Sequence, residues 1–139
     1  MKLNTPLLAL ALGAFAIGVT EFSPMGMLSV IARDLDVSIP SAGMLISAYA
    51  FGVVIGAPIM TLGFASMSRR RLLMLSMSIF TLGNLVSALS DSYTTLLIGR
   101  IITSFNHGAF FGVGAVVATQ LVPADKRASA VAAVFSGLT

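Results

Sequence analysis

The chain contains no cysteine and no tryptophan, and only 9% of its 139 residues are charged. Without cysteine there is no disulfide framework and no thiolate metal site. A soluble domain carries about 25% charged residues, so a chain this poor in charge cannot clothe a water-facing surface in the usual way. A single histidine leaves no second imidazole for a metal centre. No phosphate loop, nucleophile elbow or pair of carboxylates at enzyme spacing is present, so the sequence points away from an enzyme and from any cofactor. Hydrophobic residues are abundant instead, at 57%, with a mean hydropathy of +1.00. The net charge of +3 comes from a few basic residues placed between apolar runs. That is not the basic face that nucleic acid requires.

The apolar runs predict an all-α membrane protein. Spans are expected over 7–30, 42–64, 72–89 and 96–120, with a fifth segment over 128–139. The start of the first resembles a secretory signal, but its apolar run continues well past the small-residue stretch. Ser38 is placed to cap the second helix, with Pro40 in its first turn. A spanning helix needs about 20 residues. The fifth segment falls short of that, so the expectation is four spans and the start of a fifth, the N-terminal part of a longer protein or a truncated product.

Basic residues set the expected orientation. Lys2, Arg69, Arg70, Arg71, Lys126 and Arg127 fall in the N-terminus and in the second and fourth loops, while the first and third loops hold Arg33 beside Asp34, Asp36 and Asp91. The positive-inside rule then places the N-terminus in the cytoplasm. The arginines of the second loop read either as topology anchors or as part of a gate, with Arg69 and Arg70 as the gating candidates.

Two charged residues stand inside spans, and an ionisable group in a bilayer marks a function unless it is a fixed structural pair. Glu21 lies in TEFSP of the first span, where Pro24 has no N–H and so leaves the carbonyl of Thr20 without its helical partner. Arg100 lies near the start of the fourth span. Helical rise puts Glu21 roughly 13 Å and Arg100 roughly 7 Å below the same membrane surface, within reach of each other through long side chains or a water. A carboxyl group that gains and loses a proton within the membrane suits proton coupling. His107 follows Arg100 by about two turns on the same face, with Thr103 and Ser104. It reads as a packing residue or as a proton or substrate contact. Tyr49 is a cavity residue or a packing hydrogen-bonder. Asn106, Asn84 and Gln120 suit hydrogen bonds between helices, and Asn106 joins Tyr49 and His107 as a cavity candidate. Gly52 with Gly56, and Gly108 with Gly112, form small-xxx-small pairs for close helix packing, and Pro58 marks a kink. Eight methionines and nine phenylalanines face lipid or core, or make a cavity tolerant of varied apolar ligands.

These stretches resemble the major facilitator superfamily, in its twelve-span drug/proton antiporter branch and its arabinose-efflux-permease-like members. The resemblance rests on LGAFAIGVTEFSPMG from Leu12 to Gly26, on AGMLISAYA from Ala42 to Ala50, on Arg100 with NHGAFFG from Asn106 to Gly112, and on Pro123 to Ala128. It implies two six-helix bundles with a substrate site between them near the midplane, worked by rocking of one bundle against the other. It also implies that Arg100 takes part in proton coupling. One loop departs from the family pattern: where GxLxDRxGRR is usual, this chain reads TLGFASMSRR from Thr61 to Arg70, without the acid that latches the two halves on the cytoplasmic side.

The leading reading is a bacterial inner-membrane secondary transporter, a proton-coupled exporter of small organic compounds, whose partners are the lipid bilayer, a small-molecule substrate, protons and a C-terminal half. Two alternatives stand beside it. One is a small four-span multidrug exporter. The other is a membrane interaction protein that moves no substrate.

Overall fold

The computed structural model describes residues 4–138. Lys2 and Thr139 lie outside the described residues. Among those described, the structure is helical throughout, and four helices are long and apolar enough to cross a membrane.

Helix α1 (Thr5–Gly26) begins at Asn4, whose side chain accepts a hydrogen bond from the Leu7 amide. It stops at Gly26 rather than running on to Val30. Pro24 removes one helical donor, and the Met27 N–H is shared between the carbonyls of Ser23 and Pro24. The chain restarts as the short α2 (Leu28–Asp34), across the expected end of the first span and into the stretch from Ile31 expected as a loop. Asp36 then adopts φ of 50°, a left-handed conformation that short polar side chains tolerate. Helix α3 (Ile39–Gly63) is capped by Ser38, with Pro40 in its first turn and Pro58 inside. Helix α4 (Arg69–Ala88) is capped by Ser68 and α5 (Tyr93–Gln120) by Ser92. A 3-10 turn at Ala124–Lys126 leads into α6 (Arg127–Phe135).

Helix α5 is the axis of the bundle. At 28 residues it spans roughly 42 Å, and α1, α3, α4 and α6 all pack on it. Its buried face carries Arg100, Thr103, Ser104 and Asn106 beside Ala109, Phe110 and Phe111. The outer faces show the opposite chemistry: Leu12, Phe51, Val54, Leu62 and Leu82 are all well exposed. This inversion suits a bilayer, where lipid tails give helices no hydrophobic reason to associate and small or polar contacts hold them instead.

The close contacts are made at glycines. A Cβ on Gly56 would lie 2.8 Å from the Phe105 Cα, and one on Gly83 would lie 2.8 Å from the Thr103 amide nitrogen. These bring α3 and α4 against α5. Gly52 meets the Ser104 side chain and Gly108 meets Ala57. Gly112, the other half of the expected pair, faces open space, so that pair packs through one glycine alone. Apolar packing fills the rest, with Leu10, Ala14, Ile17, Phe80, Phe110 and Val134 in one cluster that joins α1, α4, α5 and α6.

Candidate functional site

The site forms where α1, α3 and α5 meet. Pro24 leaves the Thr20 carbonyl free of its helical donor, and Arg100 uses it: Nη1 donates a hydrogen bond to Thr20 O at 2.6 Å. The guanidinium carbon lies 4.4 Å from the centroid of the Tyr49 ring, a cation–π contact worth about 2 kcal/mol or more when shielded from water. Arg100 is only 4% exposed. One backbone acceptor and one aromatic face therefore hold its charge, while Nε and Nη2 have no hydrogen-bond partner among the described residues.

Glu21 does not pair with Arg100. Its Oε2 lies 3.7 Å from His107 Nδ1, which also lies 3.2 Å from the Tyr49 hydroxyl. Sequence spacing brought Glu21 and Arg100 to one region but did not show that the nearer ionisable neighbour of Glu21 is His107. The two are still close enough for the charge of Glu21 to bear on Arg100 and on Tyr49. The side chains of Glu21 and His107 remain 26% and 17% exposed, so this edge of the site is open while the Arg100 end is closed.

Neighbouring groups fix these positions. The Thr20 hydroxyl donates to Asn84 Oδ1 at 3.1 Å, tying α1 to α4. The His107 ring stands edge-on to Tyr49 and tilts against Phe111, which in turn meets Phe135 at a centroid distance of 5.0 Å. Tyr93 donates to the Ser41 carbonyl and pins the starts of α3 and α5 together.

Asn106 is fully buried but lies apart from this group, against α4. Among the described residues its amide reaches only the Met77 sulfur at 4.0 Å, and its Oδ1 is unpartnered, as is the buried Ser76 hydroxyl. Arg69 and Arg70 sit in the first turn of α4, at the rim of an apolar cleft of about 580 Å³ between α1, α4 and α5. That is the opposite end of α5 from Arg100. Among the described residues no cluster of His, Asp or Glu is arranged to hold a metal ion.

The roles of Thr20 and Phe135 were not foreseen. The freed carbonyl was legible at Pro24, but which donor would take it was not. Phe135 carries no signal that separates it from any other phenylalanine.

The Major Facilitator Superfamily model matches residues 10–139. The chain is 65% identical over 139 residues to the inner membrane transport protein YdhP of Escherichia coli, covering all of this chain and 36% of that protein. It is 50% identical over 139 residues to the uncharacterised MFS-type transporter YtbD of Bacillus subtilis, covering 99% of this chain and 35% of that one. A chloramphenicol efflux pump of Mycobacterium tuberculosis is 35% identical over 136 residues, covering 98% and 33%. The chain thus spans about a third of the length of these relatives. With its membrane helices, its intramembrane charges and the match along nearly all its length, the chain belongs to the Major Facilitator Superfamily.

Proposed function

We propose that this chain forms part of the N-terminal bundle of a proton-coupled exporter of small organic compounds, which works by alternating access in a bacterial inner membrane. The observation that carries this reading is the meeting of a carboxyl, an imidazole, a phenol and a guanidinium between three apolar helices. Such groups are costly in a bilayer and mark ion or substrate pathways. Glu21 is the proton carrier, reachable from its open edge. Arg100 is the fixed counter-charge, and Tyr49, His107 and Asn106 are the candidate cavity residues. The transport direction and the compound class draw on the names of relatives, one of which is a chloramphenicol efflux pump.

The arginines at the start of α4, with Lys126 and Arg127 at the start of α6, mark the cytoplasmic side by the positive-inside rule, so the N-terminus is cytoplasmic. Arg69 and Arg70, at the rim of the cleft, are the candidates for a cytoplasmic gate. The substrate site would be completed by the C-terminal half, in the two-thirds of the relatives' length that this chain does not span.

The test is transport by the chain extended to its relatives' full length, reconstituted in vesicles with an imposed pH gradient and a panel of compounds that includes chloramphenicol. Gradient-driven accumulation that Glu21→Gln abolishes is the expected result. Accumulation that persists when the gradient is collapsed, or no flux of any compound, would overturn the proposal.

A further inference from the structure

His107 Nδ1 is one atom with two oxygen neighbours on two different helices. The Tyr49 hydroxyl of α3 is 3.2 Å away and Oε2 of Glu21 on α1 is 3.7 Å away. A ring nitrogen carries either a hydrogen or a lone pair, so it cannot serve both neighbours in the same way. We propose that His107 is the proton partner of Glu21, and that the proton on Nδ1 decides whether α5 is bonded here to α3 or to α1.

With Nδ1 bare, the Tyr49 hydroxyl donates to it. The 3.2 Å separation allows that bond, while 3.7 Å is too long for one to Glu21. The proton arrives on the Glu21 carboxyl, which stands at the open edge. An approach of about 0.9 Å first brings the carboxyl to charge-assisted length from Nδ1 and displaces the Tyr49 hydroxyl from its lone pair. The carboxyl O–H bond then breaks and an Nδ1–H bond forms, leaving a carboxylate that accepts from the imidazolium, with no other reactant consumed. Tyr49 has then lost its acceptor. Its ring is the face on which Arg100 rests, and Arg100 holds the Thr20 carbonyl, one residue before Glu21. The exchange therefore acts on all three helices through a closed ring of contacts.

The groups facing His107 are Glu21 from α1 and Tyr49 from α3, with Arg100 of its own helix behind the Tyr49 ring. From α6 the ring of Phe135 reaches it only through Phe111. The arginines of α4 and α6 lie in those helices' first turns; Arg69 and Arg70 share a cleft with Gln120, about 20 Å along α5 from His107.

The pairing is a property of this chain. Its consequence for coupling rests on the transport reading above. Because the chain has one histidine, nitrogen-15 NMR of the imidazole in lipid nanodiscs reports this group alone. At a pH where wild type shows both protonation forms, Glu21→Gln should cut the imidazolium fraction at least fivefold. Tyr49→Phe should remove the preference for the tautomer with Nδ1 bare. Unchanged imidazole spectra across pH in Glu21→Gln would overturn the proposal.

Transport gives a second arm that does not depend on the spectra. In the full-length transporter, His107→Gln should keep downhill exchange and lose at least tenfold of gradient-driven uptake. If His107→Gln and His107→Phe both keep gradient-driven uptake while Glu21→Gln loses it, the histidine proposal falls and the transport reading stands. If spectra respond as expected but no compound moves, the pairing holds and the transport reading falls.

Discussion

Arg100 on α5 holds the carbonyl of Thr20 on α1, the carbonyl that Pro24 leaves without its own helical donor. A proline inside a helix ordinarily costs about 3 kcal/mol. Here the liberated acceptor anchors a buried cation, so part of that cost is offset. Pro24→Ala should therefore stabilise the protein much more in an Arg100→Ala background than in wild type. A double-mutant cycle of unfolding in detergent should show a coupling of about 1–2 kcal/mol, the range for residues that share one hydrogen bond. Additive effects would show that Arg100 does not depend on the freed carbonyl.

Tyr49 serves Arg100 with its ring and His107 with its hydroxyl, and substitutions separate the two roles. Tyr49→Phe keeps the face beneath the guanidinium and should cost about 1 kcal/mol for the lost hydrogen bond. Tyr49→Ala removes the ring from a site only 2% exposed and should cost about 3–5 kcal/mol. Equal costs in thermal unfolding would mean that the ring contributes nothing to holding the cation.

Much of this arrangement was legible in the sequence because apolar length and polar caps are local signals. Ser38 caps α3 with Pro40 just inside, as expected, whereas the arginines after Ser68, expected in the second loop, form the first turn of α4. The break after Gly26 was less legible, since the apolar pattern runs on through Val30 and only the helical hydrogen bonds fail. The partner of Glu21 was within reach of simple arithmetic. His107 lies about 10 Å deeper than Arg100 along α5, so the level of Glu21 falls slightly closer to the histidine than to the arginine. Depth fixes only one coordinate, however. Which face of α1 meets α5 depends on packing at Gly13, where an added Cβ would meet the Phe110 ring, and no local signal gave that. Family membership was legible from longer motifs, and the model match over residues 10–139 agrees with it.

The glycines give a paired test of the packing. A Cβ on Gly56 would lie 2.8 Å from the backbone of Phe105, which cannot swing aside as a side chain can. Gly56→Ala should push α3 from α5 and cost about 1–3 kcal/mol, the range for overpacking. Gly112 has nothing within 4 Å of its added Cβ. Gly112→Ala should be neutral or stabilising by up to about 1 kcal/mol, through helix propensity alone. Thermal denaturation in detergent checks both, and equal losses at the two sites would contradict the contacts described.

Asn106 gives the clearest separation of stability from function. It is fully buried and, among the described residues, its Oδ1 has no partner and its amide meets only a sulfur at 4.0 Å. An unsatisfied buried polar group costs about 1–3 kcal/mol, and replacing it with an apolar group of similar shape removes that cost. Asn106→Leu should therefore raise stability by about 1–2 kcal/mol in a detergent melt. Its side chain packs against α4, away from the contact between Glu21 and His107, so the protonation response of His107 should stay as in wild type. If Asn106 contacts substrate, the same variant should weaken the apparent affinity for a transported compound while gradient-driven coupling survives. A gain in stability with unchanged affinity would remove Asn106 from the cavity. A loss of stability would mean that its oxygen has a partner inside the bundle.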